Sequence, residues 1–92
     1  MLPKNRTPAH PGEILLEEFL KPLGITQQEL SRQMKVPIQR VNTLINGKRG
    51  VTPETALLLA GIFKTTPQFW MNLQSNHDLA AAAHKMNIHL AA

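Results

Sequence analysis

Apolar residues recur at three- and four-residue spacings along much of the chain, a pattern typical of amphipathic helices that pack in a bundle. The first predicted helix begins at Pro11, because a proline costs nothing in a first turn, where its missing N–H has no helical partner. It ends near Pro22 and Gly24. Its core stripe comprises Ile14, Leu15, Phe19 and Leu20.

The second predicted helix has the clearest start signal in the sequence. Thr26 and Glu29 have the spacing of a capping box, in which each side chain binds a backbone N–H at the helix start. Ile25 and Leu30 occupy the two positions of the hydrophobic contact that often accompanies such a box. The helix is expected to end near Lys35.

A third helix is predicted from about Ile38 to Asn46. Pro37 marks its start, which leaves a connection of three or four residues, the length that a helix-turn-helix motif uses. Gly47 ends the helix. Its inward side consists of Val41, Leu44 and Ile45, and its amide-rich outward face of Gln39, Asn42, Thr43 and Asn46, with Ile38 and Arg40 at the borders.

Two further helices open with the same signal, a threonine cap followed by proline, at Thr52 and at Thr66. From residue 56 to residue 63 the fourth helix is apolar almost all round, which predicts a central, buried helix. The chain is therefore expected to form an all-α, five-helix domain over residues 11–84. Residues 1–10 are predicted to be a flexible N-terminal arm and residues 85–92 a C-terminal tail.

Composition narrows the class of protein. A chain of 92 residues has room for one domain, and its 42% hydrophobic content favours a folded chain. The absence of cysteine excludes disulfides and thiolate zinc sites. Because no apolar run reaches membrane-spanning length and no signal core follows the first residues, we expect a cytoplasmic protein without a membrane partner.

The charge is concentrated in the helix-turn-helix region. The net charge is +4, and no acidic residue occurs between Glu29 and Glu54. Five basic residues fall in that interval, namely Arg32, Lys35, Arg40, Lys48 and Arg49. Such a stretch favours binding of a polyanion, although a solvated basic surface is the simple alternative.

These features together predict a DNA-binding surface. The third helix would read base edges in the major groove through Ile38, Gln39, Arg40, Asn42, Thr43 and Asn46. Phosphates would be held at the start of the second helix and on the glycine-bracketed loop, by Thr26, Gln27, Gln28, Lys48 and Arg49. An ordinary solvent-facing helix is the alternative interpretation.

Four ordered sequence blocks also give the chain a family resemblance between about His10 and Leu79. They are HPGEIL at 10–15, EEFLKPLGITQ at 17–27, NGKRGVTPETA at 46–56 and FWMNLQ at 69–74. With these blocks the chain resembles the HigA-type, or VapI-like, antitoxins, which belong to the phage-repressor-like helix-turn-helix proteins. The resemblance implies a lambda-repressor-like fold.

The resemblance further implies a homodimeric antitoxin that binds double-stranded operator DNA. Such a protein represses its own operon and neutralises a co-encoded, HigB-like toxin that cleaves mRNA. The candidates for a dimer or toxin contact are Phe69, Trp70, Leu73, Glu13 and Glu17. Their simpler roles are core packing for the apolar residues and a solvated helix start for the acids.

Two other functions remain open at this point. One is a stand-alone repressor of the same fold without a toxin, and the other is a small metal-dependent hydrolase that uses His77, His84 and His89. No glutamate accompanies these histidines at metalloenzyme spacing, and Asp78 is the only nearby carboxylate. No nucleophile or phosphate-binding motif is present. We therefore expect neither an enzyme nor a cofactor.

Overall fold

The computed structural model describes residues 8–88, which form five helices connected by short turns. The all-α, five-helix prediction is confirmed. Helix α1 covers residues 11–23, and the others are α2 (Gln27–Met34), α3 (Ile38–Ile45), α4 (Pro53–Phe63) and α5 (Pro67–Lys85). Residues 1–7 of the predicted arm and residues 89–92 of the predicted tail, including His89, lie outside the described residues.

Helix α1 departs from the regular helix that the apolar pattern predicts. It begins as an α-helix at Pro11–Ile14, widens into a π-helix at Leu15–Leu20 and ends with Lys21–Leu23. In a regular α-helix the ring of Pro22 would collide with the carbonyl four residues earlier. The wider π turn, a form found mostly as short insertions in α-helices, directly precedes this proline.

The predicted helix starts are confirmed. Thr26 accepts a hydrogen bond from the Glu29 N–H at 3.0 Å, and the Glu29 carboxylate accepts one from the Thr26 N–H at 2.9 Å, so the capping box is complete. Thr52 and Thr66 cap α4 and α5 in the same way, through the N–H groups three residues later. These local hydrogen bonds satisfy donors that every helix start leaves unpaired.

The turn between α2 and α3 contains three residues, as the sequence predicts. Lys35 adopts a left-handed conformation with φ of 59° and ends α2. Its N–H donates to the Arg32 carbonyl, and the Val36 N–H donates to the Ser31 carbonyl. Pro37 follows as the residue that precedes α3. The short turn fixes α3 against α2, which is the geometry of a helix-turn-helix motif.

One core joins the five helices. Its largest fully buried side chain is Trp70, whose indole N–H donates to the Thr65 hydroxyl at 2.7 Å. The Phe19 ring packs on this indole with ring centroids 5.1 Å apart, which ties α1 to α5. The other buried core residues are Leu15, Leu20, Leu30, Met34, Val41, Leu44, Val51, Ala56 and Leu59.

Helix α4 is less buried than its composition predicts. Its inward face is buried at Thr55, Ala56, Leu59 and Ala60. On the opposite side Leu57 is 62% exposed and Leu58 is 38% exposed. The expectation of a central helix buried all round is therefore wrong, because α4 has neighbours on one side only within residues 8–88. A uniformly apolar sequence carries no directional signal that would show which face lies outward.

The last turn of α3 packs against the beginning of α1 through a very close backbone contact. A Cβ atom built on Gly12 would overlap the Leu44 carbonyl and lie 3.0 Å from the Ile45 Cα. Only glycine lets the first turn of α1 approach the last turn of α3 so closely. The position and tilt of α3 are therefore set by α1 as well as by α2.

Candidate nucleic-acid interface

The outward face of α3 is turned away from the protein's own core. Gln39, Arg40 and Asn46 are exposed, whereas Asn42 and Thr43 are partly buried. Val41 and Leu44 are buried on the opposite side of the helix, and Ile45 packs beside them. Since α-helical positions rotate by about 100° per residue, Gln39 and Thr43 lie opposite the core side. Asn42 lies nearer the edge.

An open depression on the surface brings several of the predicted DNA-binding residues together. Its lining consists of Pro37, Gln39, Arg40, Thr43 and Arg49. Arg49, which the sequence analysis assigns to phosphates, thus lies with three candidate base-reading residues. Ile38, Asn42 and Asn46 are not part of this lining.

The Thr43 hydroxyl is engaged with its own helix. It is 2.8 Å from the Gln39 carbonyl and 3.2 Å from the Arg40 carbonyl, and both carbonyls can only accept a hydrogen bond. The hydroxyl proton is therefore used inside the protein. Towards solvent, Thr43 offers oxygen lone pairs and a methyl group.

The start of α2 presents free backbone donors. The capping box occupies the N–H groups of Thr26 and Glu29, while the N–H groups of Gln27 and Gln28 have no hydrogen-bond partner within residues 8–88. These two donors stand at the positive end of the helix dipole, an arrangement that favours an anion. The hydrogen bonds from Thr26 to the Glu29 carboxylate lower the pKa of this carboxyl below its ordinary value.

The loop after α3 places two cations, Lys48 and Arg49, beside this helix. Gly47 has a φ of 74°, a left-handed conformation that suits glycine, and it turns the chain at the end of α3. The N–H groups of Lys48 and Arg49 donate to the Thr43 carbonyl at 2.9 Å and 3.2 Å. Both side chains are exposed. The loop thus continues the surface that α3 begins.

None of the five cations between Glu29 and Glu54 forms an ion pair with a carboxylate in the described part of the chain. Over residues 8–88 the one ion pair is that of Lys21 with Glu17, at 2.8 Å and exposed on α1. The five cations between Glu29 and Glu54 are all exposed. Their charge is available to attract a polyanion.

The residues suggested for a dimer or toxin contact differ in how exposed they are. Trp70 has no exposed surface, so the suggestion is wrong for this residue and its role is in the core. Phe69 is 37% exposed at the edge of the aromatic cluster, and Leu73 is partly buried against the core. Glu13 and Glu17 are exposed on α1. For these four residues the contact remains a prediction.

Two of the histidines, His10 and His77, have roles in the fold. His10 caps α1, because its Nδ1 accepts a hydrogen bond from the Gly12 N–H at 2.9 Å. Its ring meets the His77 ring edge-on at a centroid distance of 5.1 Å, and the His77 Nδ1 donates to the Pro8 carbonyl at 2.8 Å. Among the residues described, no three His, Cys, Asp or Glu side chains are grouped so that they could hold a metal ion.

Three contributors to this surface were not found from the sequence. Gly12 supports the end of α3, His10 packs beside Gly47, and Gln74 of α5 binds the backbone of Val51 after the loop. Each acts on residues at least 23 positions away, so no local pattern identifies them.

In residues 8–88 no helix has the length and apolar character needed to cross a bilayer.

Comparison with known proteins agrees with this geometry. The helix-turn-helix family matches residues 16–70, more than half of the chain. Virulence-associated protein I of Dichelobacter nodosus is 44% identical over 80 residues, which cover 86% of this chain and 74% of that protein. Antitoxin HigA-1 of Vibrio cholerae is 45% identical over 76 residues, which cover 82% of this chain and 70% of that protein.

A solved structure shows the same arrangement of helices. The Pseudomonas aeruginosa antitoxin HigA with the higBA promoter matches with a TM-score of 0.80 at 42% identity, and the match covers 92% of this chain and 96% of that one. Sequence and structure thus give the same assignment. The chain belongs to the XRE-type helix-turn-helix family, in its HigA-like branch.

Proposed function

We propose that this chain binds operator DNA as a homodimer, represses its own operon and neutralises a co-encoded, HigB-like mRNA endonuclease. The observation that carries the DNA part of the proposal is the exposed outward face of α3, with Arg40 and Arg49 beside it. The similar Pseudomonas aeruginosa antitoxin was solved with its promoter. The relatives of the present chain are DNA-binding regulators rather than enzymes.

The start of α2, the loop after α3 and α3 itself would make different contacts with DNA. The free N–H groups of Gln27 and Gln28 suit one phosphate, with Thr26 beside them, and the loop cations Lys48 and Arg49 suit others. Base edges would be read from α3. The candidate readers stay those of the sequence analysis, namely Ile38, Gln39, Arg40, Asn42, Thr43 and Asn46.

A homodimer would give this surface its selectivity. One helix of eight residues meets only a few base pairs, whereas two copies about 34 Å apart meet successive half-sites on one face of the duplex. Discrimination against each half-site then adds in free energy. Phe69 and Leu73 are candidates for the contact between copies or with the toxin.

The division of roles is tested by DNA binding to the duplex immediately upstream of the first gene of the chain's own operon. Gln39→Ala should cost about 1–3 kcal/mol on that duplex and little on a shuffled duplex of equal composition. Lys48→Ala should weaken binding to both duplexes and lower the slope of log K against log salt by about one. Lys85→Ala, which removes the same charge from the end of α5, is the control.

The outcomes separate the hypotheses. If the wild-type protein prefers the upstream duplex no more than the shuffled one, operator binding is wrong. If Gln39→Ala and Lys48→Ala have the same effect on both duplexes, the division between base and phosphate contacts is wrong.

The antitoxin part needs its own experiment. Co-expression with the product of the neighbouring upstream gene should give a complex that co-elutes in size-exclusion chromatography, and it should relieve growth arrest caused by that product. Failure of both would favour the stand-alone repressor. If the complex forms, the double variant Glu13→Gln, Glu17→Gln shows whether the acidic side of α1 contributes to it. The variant should weaken the binding of a basic partner without changing DNA affinity.

A further inference from the structure

We infer that Gln74, on α5, is a positioning residue that holds the loop of Lys48 and Arg49 in the orientation needed at the phosphate backbone. The inference rests on the proposed DNA binding. Gln74 lies 23 residues from the loop along the chain and belongs to a helix outside the helix-turn-helix motif. Apart from the buried Val51 side chain, the contact that holds the far end of this loop is the one with Gln74.

Both ends of the Gln74 amide are engaged. Its Oε1 accepts a hydrogen bond from the Val51 N–H at 2.7 Å, and its Nε2 donates to the Asp78 carboxylate at 2.9 Å. Because Asp78 takes the donor, the acceptor end of the amide must face the loop. The amide is therefore held at both ends.

Gly50 shows how closely the loop lies on this amide. A Cβ built on Gly50 would lie 3.0 Å from both Cδ and Oε1 of Gln74. That distance is shorter than ordinary van der Waals contact, so a side chain at this position would require the amide to shift by a few tenths of an ångström. The glycine and the glutamine together set the path of the backbone between Arg49 and Val51.

The loop has two attachments of different kinds. Its first half is part of the end of α3, since the N–H groups of Lys48 and Arg49 bind the Thr43 carbonyl. Its second half rests on the buried Val51 side chain and on Gln74. Loss of Gln74 would leave the core contact of Val51 in place but release the peptide that directs Lys48 and Arg49.

Gln74→Ala should therefore weaken DNA binding without unfolding the protein. We expect a loss of about three- to tenfold, the effect of one lost hydrogen bond. The loss should be equal on the upstream duplex and on a shuffled duplex, because phosphate contacts carry no sequence information. The salt slope should fall as well. Gln68→Ala, an exposed glutamine on the same helix, is the matched control and should change neither.

A double-mutant cycle tests whether Gln74 acts through the loop cations. In a Lys48→Ala, Arg49→Ala background, Gln74→Ala should cost less than twofold, since the cations that it positions are gone. An undiminished loss in that background would overturn the inference. Hydrogen exchange gives a second readout, because the Val51 amide should lose protection in Gln74→Ala while the amides of α2 keep theirs.

Gly50→Ala provides a test that keeps the glutamine. It should lower affinity by less than Gln74→Ala does, because the amide has to shift by only a few tenths of an ångström, and it should add little in Gln74→Ala, where the obstructing amide is absent. Wild-type affinity and salt slope in Gln74→Ala, or an equal loss from Gly50→Ala in both backgrounds, would overturn the inference while leaving operator binding intact. Absence of any preference for the upstream duplex in the wild-type protein would instead overturn the proposed function on which the inference rests.

Discussion

Two segments of this protein are proposed to contact DNA phosphates, and they are built in opposite ways. The start of α2 is held by contacts between Thr26 and Glu29, three residues apart. The loop at residues 47–50 depends on His10, Thr43 and Gln74, which come from three different helices or helix starts. One site is specified locally, whereas the other exists only when the whole bundle is formed.

This difference leads to different responses to mutation. A locally capped helix start weakens when its own side chains change, and little else is affected. A loop held by distant elements weakens when any of them moves. The following experiments compare the two segments in order of decreasing expected effect.

The largest effect is expected at Gly12, where α1 supports the end of α3. Gly12→Ala would force a methyl group into the Leu44 carbonyl, and two packed helices would have to separate, so we expect a loss of about 2–3 kcal/mol in the free energy of unfolding. Urea denaturation measures it. Gly61→Ala is the control, because nothing lies within 4 Å of a Cβ there. A mid-helix alanine should leave stability unchanged or raise it by about 0.5–1 kcal/mol.

Stability equal to wild type in Gly12→Ala would show that the contact between α1 and α3 yields easily. The loop would then be less dependent on the bundle than the comparison of the two segments implies.

A smaller effect is expected at the locally built site. Thr26→Ala removes the cap of α2 and should cost about 1 kcal/mol in unfolding free energy, and Thr66→Ala should cost about the same at α5. Only Thr26→Ala should also reduce DNA affinity, because only α2 presents its start to the proposed phosphate. Equal loss of DNA affinity in both variants would mean that stability, and not the α2 start, controls binding.

The smallest effect is expected from pH, through His10. Partial burial lowers the pKa of this imidazole below its ordinary value of 6.5, and the neighbouring His77 lowers it further, whereas Asp78 acts in the opposite direction. Because the folded protein holds the neutral ring more strongly than the unfolded chain does, its contribution to stability is complete above pH 6.5. That contribution declines as the pH falls from 6.5 towards the lowered pKa.

His10→Asn isolates this contribution, since asparagine can cap a helix but does not titrate. The difference in unfolding free energy between wild type and His10→Asn should be constant above pH 6.5 and should shift in favour of the variant below it. A difference that does not vary with pH would show that the His10 cap does not depend on its neutral form.

The sequence predicted the locally determined features of the fold well. The three threonine caps, the three-residue turn and the inward side of α3 follow from side chains within a few positions of each other. The outward face of α4 and the π segment of α1 did not follow. In α4 every face is apolar, so the exposure of Leu57 and Leu58 depends on which helices happen to pack on the other side.

The candidate site shows the same limit. The residues on α3 were found because polar positions at helical spacing mark an outward face. Gln74 was not, since Gln68 and Gln74 look alike in sequence and only the packed bundle brings one of them to Val51. Arg49 belongs with Gln39 and Arg40 because the loop folds back on α3, which linear spacing does not show.

The contact of the Pro8 carbonyl with His77 has a practical consequence for handling the protein. This hydrogen bond holds the segment just before α1 against α5, next to His10. The His10 ring in turn lies beside Gly47, at the beginning of the loop that carries Lys48 and Arg49. A purification tag or fluorescent label fused ahead of Pro8 therefore joins the fold next to the proposed duplex site. A polyhistidine tag at that end, partly protonated near neutral pH, would add its own attraction for nucleic acid, and it should be removed before affinities or salt slopes are measured.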